Sequence, residues 1–115
     1  MKYMINKNKK GVKIMEIKSE THNWITIPTE LIELKNNKTI KDMSDRNDEY
    51  PLYELERNGK TFQIWIRPKN KKDWVLNETH RFEIGEFDLN EHKYNLILLT
   101  DNLTDVISFI NNKGV

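Results

Sequence analysis

The chain has 115 residues, a hydrophobic fraction of 37% and a formal net charge of +1 at pH 7. That length allows one domain with one hydrophobic core, and the near-neutral charge excludes strong overall attraction to nucleic acid or to an anionic membrane. The sequence contains no cysteine, which excludes disulfide bonds and thiolate metal sites. No apolar run is long enough to span a membrane, so the default expectation is a cytoplasmic protein.

The N-terminal segment differs from the rest of the chain. Residues 1–10 are lysine-rich and lack hydrophobic periodicity, which predicts a flexible basic tail before a single domain over residues 11–115. Met15 is an alternative start of the protein, and the preceding residues would then be an extension. Alanine is absent, whereas Lys, Asn and Ile are abundant. Because these three residues have AT-rich codons, the composition indicates an AT-rich genome of bacterial or phage type.

The N-terminal half of the domain predicts short elements. Alternating apolar residues indicate a strand over residues 12–18 and a second extended segment over residues 24–28. A short helix follows near residues 29–36, with Thr29 close to its N-cap. Residues 38–49 are charged, and we expect them to form a loop.

Residues 51–67 predict a β-hairpin, and the other elements are arranged around it. Asn58-Gly59 supplies the two central residues of a type I′ turn, which require positive φ angles. A two-residue turn fixes the register of the flanking strands. Four pairs then face each other: Arg57 with Lys60, Leu55 with Phe62, Tyr53 with Ile64, and Leu52 with Trp65.

The C-terminal half predicts two further strands and a helix. Residues 79–87 alternate as a strand, in which Gly85 marks a β-bulge. Residues 94–99 are apolar on both faces, which is typical of a central strand that is covered on both sides. Apolar residues at helical spacing predict a helix over residues 103–112, with Asn102 as its N-cap.

Together these elements predict a single small α+β domain. Its mainly antiparallel sheet, of about four or five strands, is centred on the hairpin over residues 51–67. The C-terminal helix packs on one face of this sheet, and the segment near residues 29–36 adds a short helix. The apolar segment Trp74–Leu76 is expected to be buried against the domain.

Leu52 and Trp65 form the first candidate site. The hairpin register places both on the face that otherwise carries polar residues, namely Glu54, Glu56, Thr61 and Gln63. If solvent reaches this face, the pair is an apolar spot in a polar surround, which is typical of a partner-binding anchor. The alternative is that another segment covers the pair at one end of the sheet. We predict Leu52 and Trp65 as partner-binding residues.

A basic loop next to tryptophan is the second candidate site. Its residues are Arg67, Lys69, Lys71, Lys72 and Trp74. Cations interleaved with aromatic rings suit single-stranded nucleic acid, because phosphates bind Lys or Arg while bases stack on indole rings. Acidic neighbours dilute the patch, and a lysine-rich loop is more often a solvated connection. Nucleic-acid binding is therefore the alternative to protein binding.

Residues for catalysis or metal binding are scattered along the sequence. His22, His80 and His92 lie far apart and lack the spacing of a zinc site. The serines have no nucleophile-elbow context, and the glycines form no phosphate-binding loop. We therefore expect no enzyme, no catalytic residue, no metal and no cofactor. The leading hypothesis is a non-catalytic binding module, a small accessory or inhibitory protein that acts by protein–protein contact.

Overall fold

The computed structural model describes residues 3–7 and 13–112 of the chain. Eight strands, two α-helices and one 3-10 helix follow one another in this part of the chain. The strands are β1 (Tyr3–Lys7), β2 (Lys13–Lys18), β3 (Thr26–Pro28), β4 (Lys41–Asp42), β5 (Leu52–Arg57), β6 (Lys60–Ile66), β7 (Phe82–Asp88) and β8 (Lys93–Thr100). The helices are α1 (Thr29–Asn36), the 3-10 helix (Lys71–Asp73) and α2 (Leu103–Asn111).

The strands form two antiparallel sheets. A three-stranded sheet has the order β1-β2-β3, and a five-stranded sheet has the order β4-β5-β6-β7-β8. In both sheets, consecutive strands are neighbours, so the sheets are meanders. The predicted α+β class is confirmed.

The central hairpin forms as predicted. Asn58 and Gly59 have φ angles of 55° and 75°, the left-handed values that a type I′ turn needs. All four predicted pairs face each other across β5 and β6, including Leu52 with Trp65. The turn residues and the alternation of the strands therefore determine this register locally.

One hydrophobic core lies between the five-stranded sheet and both α-helices. The sheet contributes residues from a single face, and the helices contribute Leu31, Val106 and Ile110. The buried sheet residues of this core are Tyr53, Leu55, Phe62, Ile64, Ile66, Phe82 and Ile84. Burial of this apolar surface is the main contribution to folding stability.

Both α-helices begin close to the predicted positions, but their caps differ from expectation. Pro28 occupies the N-cap of α1, directly before Thr29, and no side chain caps that end. Asn102 is the N-cap of α2 as predicted, yet its side chain makes no capping bond. The Thr100 hydroxyl links the start of the helix instead, because it donates to the Asp105 carboxylate at 2.6 Å and accepts the Asn102 N–H at 3.0 Å.

The expectation that residues 94–99 form a central strand is wrong, because they belong to strand β8. It lies at one edge of the five-stranded sheet, and in the described part of the chain it pairs with β7 alone. Leu96 and Ile97 are 54% and 47% exposed. The predicted bulge is present, since the register of the two strands shifts between Ile84 and Gly85. The shift leaves Ile97 without a partner on β7.

Three other segments differ from the sequence-based expectations. Tyr3–Lys7, within the predicted flexible tail, form a strand that pairs with β2, while residues 1–2 and 8–10 lie outside the described residues. The predicted loop over residues 38–49 contains β4 and a buried Ile40. Val75 and Leu76 are 57% and 69% exposed, so the expectation that this segment is buried is wrong for both.

Candidate functional site

The five-stranded sheet has two faces with different surroundings. One face packs against α1 and α2, and we call it the helix-covered face. The alternation of the strands places a second set of residues on the opposite side, which we call the open face. Across β6, β7 and β8 this face is formed by Thr61, Gln63, Trp65, Glu83, Gly85, Phe87, Tyr94, Leu96 and Leu99. None of these nine residues belongs to the core cluster.

Tyr94 occupies the centre of the open face. Its ring lies directly over Gly85, because a Cβ added to Gly85 would come within 2.1 Å of the ring carbon Cζ. The Tyr94 hydroxyl donates a 2.7 Å hydrogen bond to Glu83 Oε2. Burial, followed by this hydrogen bond and the negative charge of Glu83, raises the pKa of Tyr94 well above its usual value. Tyr94 is thus a fixed aromatic surface that remains 39% exposed.

The predicted anchor pair lies beside this aromatic centre. Trp65 pairs with Leu52 on one side and with Glu83 on the other. Leu52 is only 8% exposed, whereas Trp65 is half-buried. Of the two residues, Trp65 therefore keeps the larger accessible surface. Partner binding by Leu52 and Trp65 remains a prediction, in which Trp65 would make the direct contact.

Arg67 lies at the end of this surface and is buried. Its Nη2 donates to Glu83 Oε1 at 2.6 Å, and its Nη1 donates to the His80 carbonyl at 2.7 Å. The guanidinium also lies 5.6 Å from the centre of the Tyr50 ring, and Tyr50 donates a hydrogen bond to Glu78. Arg67 therefore connects two loops to the sheet. Its burial leaves almost no accessible surface for the phosphate predicted from the sequence.

Some of the other residues of the basic loop make contacts within the protein, and the rest are exposed to solvent. Lys69 pairs with the buried carboxylate of Glu16 at 3.2 Å. The Trp74 indole N–H donates to the Pro68 carbonyl at 2.7 Å, and Lys71 lies 5.9 Å from the centre of the Trp74 ring. Lys71 and Lys72 are exposed. Among the cations of the predicted nucleic-acid site, these two lysines are exposed and form no ion pair with another described residue.

A buried ion-pair cluster, which the sequence did not predict, connects the two sheets. Glu16 on β2 is 1% exposed, and both of its oxygens accept hydrogen bonds from Arg81, at 2.7 and 3.1 Å. Thr26 donates to the same carboxylate at 2.7 Å. Burial alone would raise the pKa of Glu16, but the hydrogen bonds and charge of Arg81, with Thr26 and Lys69, outweigh it and hold that pKa below its usual value.

Most of the hydrogen-bond donors of Arg81 in this cluster are used within the protein. Each of the three nitrogens of Arg81 donates a hydrogen bond, to Glu16, to the Thr26 carbonyl or to the Arg67 carbonyl. The adjacent groove has a volume of about 480 Å³ and is lined in part by Glu30 and Asp101. The cluster therefore stabilises the contact between the sheets.

The histidines also have structural roles. His22 is fully buried, with Nδ1 at 2.8 Å from the Thr21 hydroxyl and Nε2 at 2.7 Å from the Asp48 carbonyl. His80 bonds Thr79 at 2.7 Å, and His92 occupies a turn with a φ angle of 54°. Within residues 3–7 and 13–112, no three His, Asp or Glu side chains are grouped so that they could hold a metal ion.

The fold and the site define a small α+β domain that presents one face of an antiparallel sheet to its surroundings. Neither α-helix in the described part of the chain is long and apolar enough to cross a membrane. Comparison of the sequence with models of protein families and with curated proteins, and of the fold with solved structures, finds no match.

Proposed function

We propose that this chain is a non-catalytic binding module, a small accessory or inhibitory protein of bacterial or phage type. It acts in the cytoplasm by contacting another protein through the open face. The observation that carries the proposal is the apolar surface across β6, β7 and β8. The apolar side chains of this surface do not belong to the hydrophobic core and remain accessible to solvent. These side chains are Trp65, Phe87, Tyr94, Leu96 and Leu99.

The composition of this surface favours a protein partner. Aromatic residues that are already held in place contribute much of the binding energy at protein interfaces, since little side-chain entropy is lost when they bind. Tyr94 is held over Gly85 and hydrogen-bonded to Glu83. The polar groups Gln63 and Thr61 lie on β6 beside the open-face residues of β7, where they can form hydrogen bonds with a partner.

The charge of the open face argues against nucleic acid at this position. The nine residues that form this face across β6, β7 and β8 include one acidic residue, Glu83, and no basic residue. A phosphate backbone would meet no cation there, and binding of nucleic acid depends mainly on phosphate contacts. The exposed lysines Lys71 and Lys72 belong to a separate loop. Protein binding is therefore the function that the open face supports best.

The experiment compares two tryptophan variants. The chain is used to purify partners from its source cell, and the partner is then measured with Trp65→Ala and with Trp24→Ala. Trp24 is 61% exposed but lies outside the five-stranded sheet, so it is a matched control for the loss of an indole ring. We expect Trp65→Ala to weaken the binding of the partner by about tenfold or more, the effect of truncating an interface hot spot.

Circular dichroism must show that both variants keep the wild-type fold. Equal affinity of Trp65→Ala and Trp24→Ala for the purified partner would remove the open face from the interface. A partner that is a nucleic acid, released by nuclease treatment, would contradict the proposal altogether.

A further inference from the structure

Two apolar side chains are exposed to solvent at the end of the basic loop. Val75 and Leu76 are 57% and 69% exposed, and they directly follow the half-buried Trp74 in the chain. We call this pair of residues the apolar tip. Single exposed apolar residues are common on protein surfaces, but two large ones in succession leave apolar area in water at a cost in free energy. A partner that covers the apolar tip would remove this cost.

The backbone that carries the apolar tip is held in place by the protein itself. The N–H groups of residues 72–76 all donate hydrogen bonds within the chain, at distances of 2.7–3.2 Å. At the tip, Val75 N–H donates to the Tyr50 hydroxyl at 2.7 Å, and Leu76 N–H donates to Glu78 Oε1 at 3.2 Å. An unpaired N–H in an apolar medium is expensive. Because these donors are already satisfied, the loop can leave water at a lower cost.

Two exposed lysines precede the apolar tip. Lys71 and Lys72 lie in the same short loop, and neither forms an ion pair with another described residue. Asp73 offsets one of their charges, so residues 70–76 carry two lysines and one aspartate and a net charge of +1. Trp74 lies between the lysines and the tip. Exposed apolar residues next to tryptophan and lysine are typical of segments that lie in the interface of an anionic bilayer.

We propose that the apolar tip, together with Lys71 and Lys72, is a contact site for the surface of an anionic lipid bilayer. Val75 and Leu76 enter the headgroup region, and the two ammonium groups stay at the level of the lipid phosphates. A tip of two apolar residues is too short to cross the bilayer, so the contact is peripheral. This inference goes beyond the proposed function, because it uses a loop outside the five-stranded sheet and a lipid surface.

A lipid surface fits this loop better than nucleic acid does. Single-stranded nucleic acid gains much of its affinity from bases that stack on open aromatic rings. The Trp74 ring is half-buried, and Lys71 lies 5.9 Å from its centre, which reduces the area open to a base. The apolar tip would also meet no apolar group on a phosphate backbone. A bilayer presents phosphates and hydrocarbon in adjacent layers, so it uses the lysines and the apolar tip together.

The first test measures sedimentation of the full chain with two kinds of lipid vesicle. One kind contains equal amounts of phosphatidylcholine and phosphatidylserine, and the other contains phosphatidylcholine alone. We expect weak, reversible binding to the anionic vesicles that falls as salt is added. Binding to the neutral vesicles should be about fivefold weaker, the effect of one net positive charge near such a surface. Lys71→Glu with Lys72→Glu should abolish this preference for anionic lipid.

A pair of leucine variants isolates the apolar contact without changing the charge. Leu76→Ser removes one side chain of the apolar tip, and we expect it to weaken binding to the anionic vesicles by about tenfold. Leu89→Ser is the matched control, because Leu89 is 68% exposed but lies in the turn between β7 and β8. It should bind vesicles as the wild type does. Both side chains are exposed, so the fold should tolerate either change, and circular dichroism checks this.

Each outcome decides the inference. A wild-type chain that binds neither kind of vesicle would show that the inference is wrong. Equal vesicle binding by Leu76→Ser and Leu89→Ser would place any lipid contact elsewhere and would contradict it as well. Binding of an oligonucleotide without binding of vesicles would assign the loop to nucleic acid instead. Trp65→Ala should leave vesicle binding unchanged, so loss of partner binding in that variant and loss of vesicle binding in Leu76→Ser report separately on the two proposals.

Discussion

The two faces of the five-stranded sheet are built from the same strands but differ in what lies against them. On the helix-covered face, Ile64, Ile66 and Phe82 keep at most 1% of their surface exposed. On the open face, Tyr94 and Leu96 keep 39% and 54%. The helix-covered face therefore provides most of the stability of the domain, whereas the open face keeps apolar surface that folding does not bury. Substitutions on the two faces should separate stability from binding.

The largest effect is expected from two phenylalanines on β7. Phe82 belongs to the helix-covered face and is 1% exposed, whereas Phe87 belongs to the open face and is half-buried. Phe82→Ala should lower the free energy of unfolding by about 3–5 kcal/mol, because it leaves a cavity in the core. Phe87→Ala should cost about 1 kcal/mol. Urea unfolding measures both, and equal losses would mean that the open face is covered as well.

The next effect concerns the buried cluster that joins the sheets. Glu16→Gln removes the charge that Arg81 and Lys69 face, and leaves the largely buried Arg81 without its counter-ion. We expect a loss of about 3 kcal/mol in the free energy of unfolding at neutral pH. Glu56→Gln is the control, because Glu56 is exposed and the change should be within about 0.5 kcal/mol.

The pH dependence of this loss gives a second measurement. The pKa of Glu16 is lower in the folded chain than its usual value of 4.5, so the stabilisation is complete above that value. It is lost as the pH falls through the folded pKa, where the carboxylate becomes protonated. The difference between wild type and Glu16→Gln should therefore be constant near neutral pH and shrink below about pH 4.5. A difference that persists unchanged in acid would exclude the charge as its cause.

Gly85 tests the arrangement of the open face. A methyl group at this position would overlap the Tyr94 ring, so Gly85→Ala should displace the ring and break its hydrogen bond to Glu83. We expect a loss of about 1–2 kcal/mol in the free energy of unfolding. In a Tyr94→Ala background the same change should cost less, because the ring is absent. Additive losses in this double-mutant cycle would show that the two residues are not in contact.

Features of the fold could be predicted from the sequence where they depend on residues close together in the chain. The hairpin register follows from Asn58-Gly59 and the alternation beside it, and both lie within one short segment. The bulge lies beside Gly85, as the sequence predicts, but its extra residue is Ile97 on the neighbouring strand. Strand β8 was wrongly predicted as central, because residues that are apolar on both faces do not show which strands are neighbours.

The contacts of the candidate site were harder to predict, because they join residues that are far apart in the sequence. Arg67 was assigned to a basic loop, but its partner Glu83 lies on the neighbouring strand and becomes adjacent only through the register of β6 and β7. Glu16 and Arg81 are 65 positions apart, and no local pattern pairs them. The face on which Trp65 lies was predictable because the hairpin fixes it, whereas the burial of Leu52 depends on the surrounding tertiary structure.

The smallest effect is expected for nucleic acid. Lys71 and Lys72 are the accessible cations of the basic loop, since Arg67 is buried and Lys69 is paired with Glu16. Two phosphate contacts to a single strand give a slope of about −1.4 in a plot of log affinity against log salt concentration. Any oligonucleotide binding at low salt should therefore be weak, and Lys71→Glu with Lys72→Glu should abolish it.

A slope steeper than about −4 would require more phosphate contacts than these two lysines can supply. It would mean that other cations of the chain take part and would move nucleic acid ahead of protein as the partner. If the shallow slope is found, the two exposed lysines make only weak phosphate contacts. The proposed protein binding would then depend on the open face, whose part across β6, β7 and β8 has an aromatic centre and no cation.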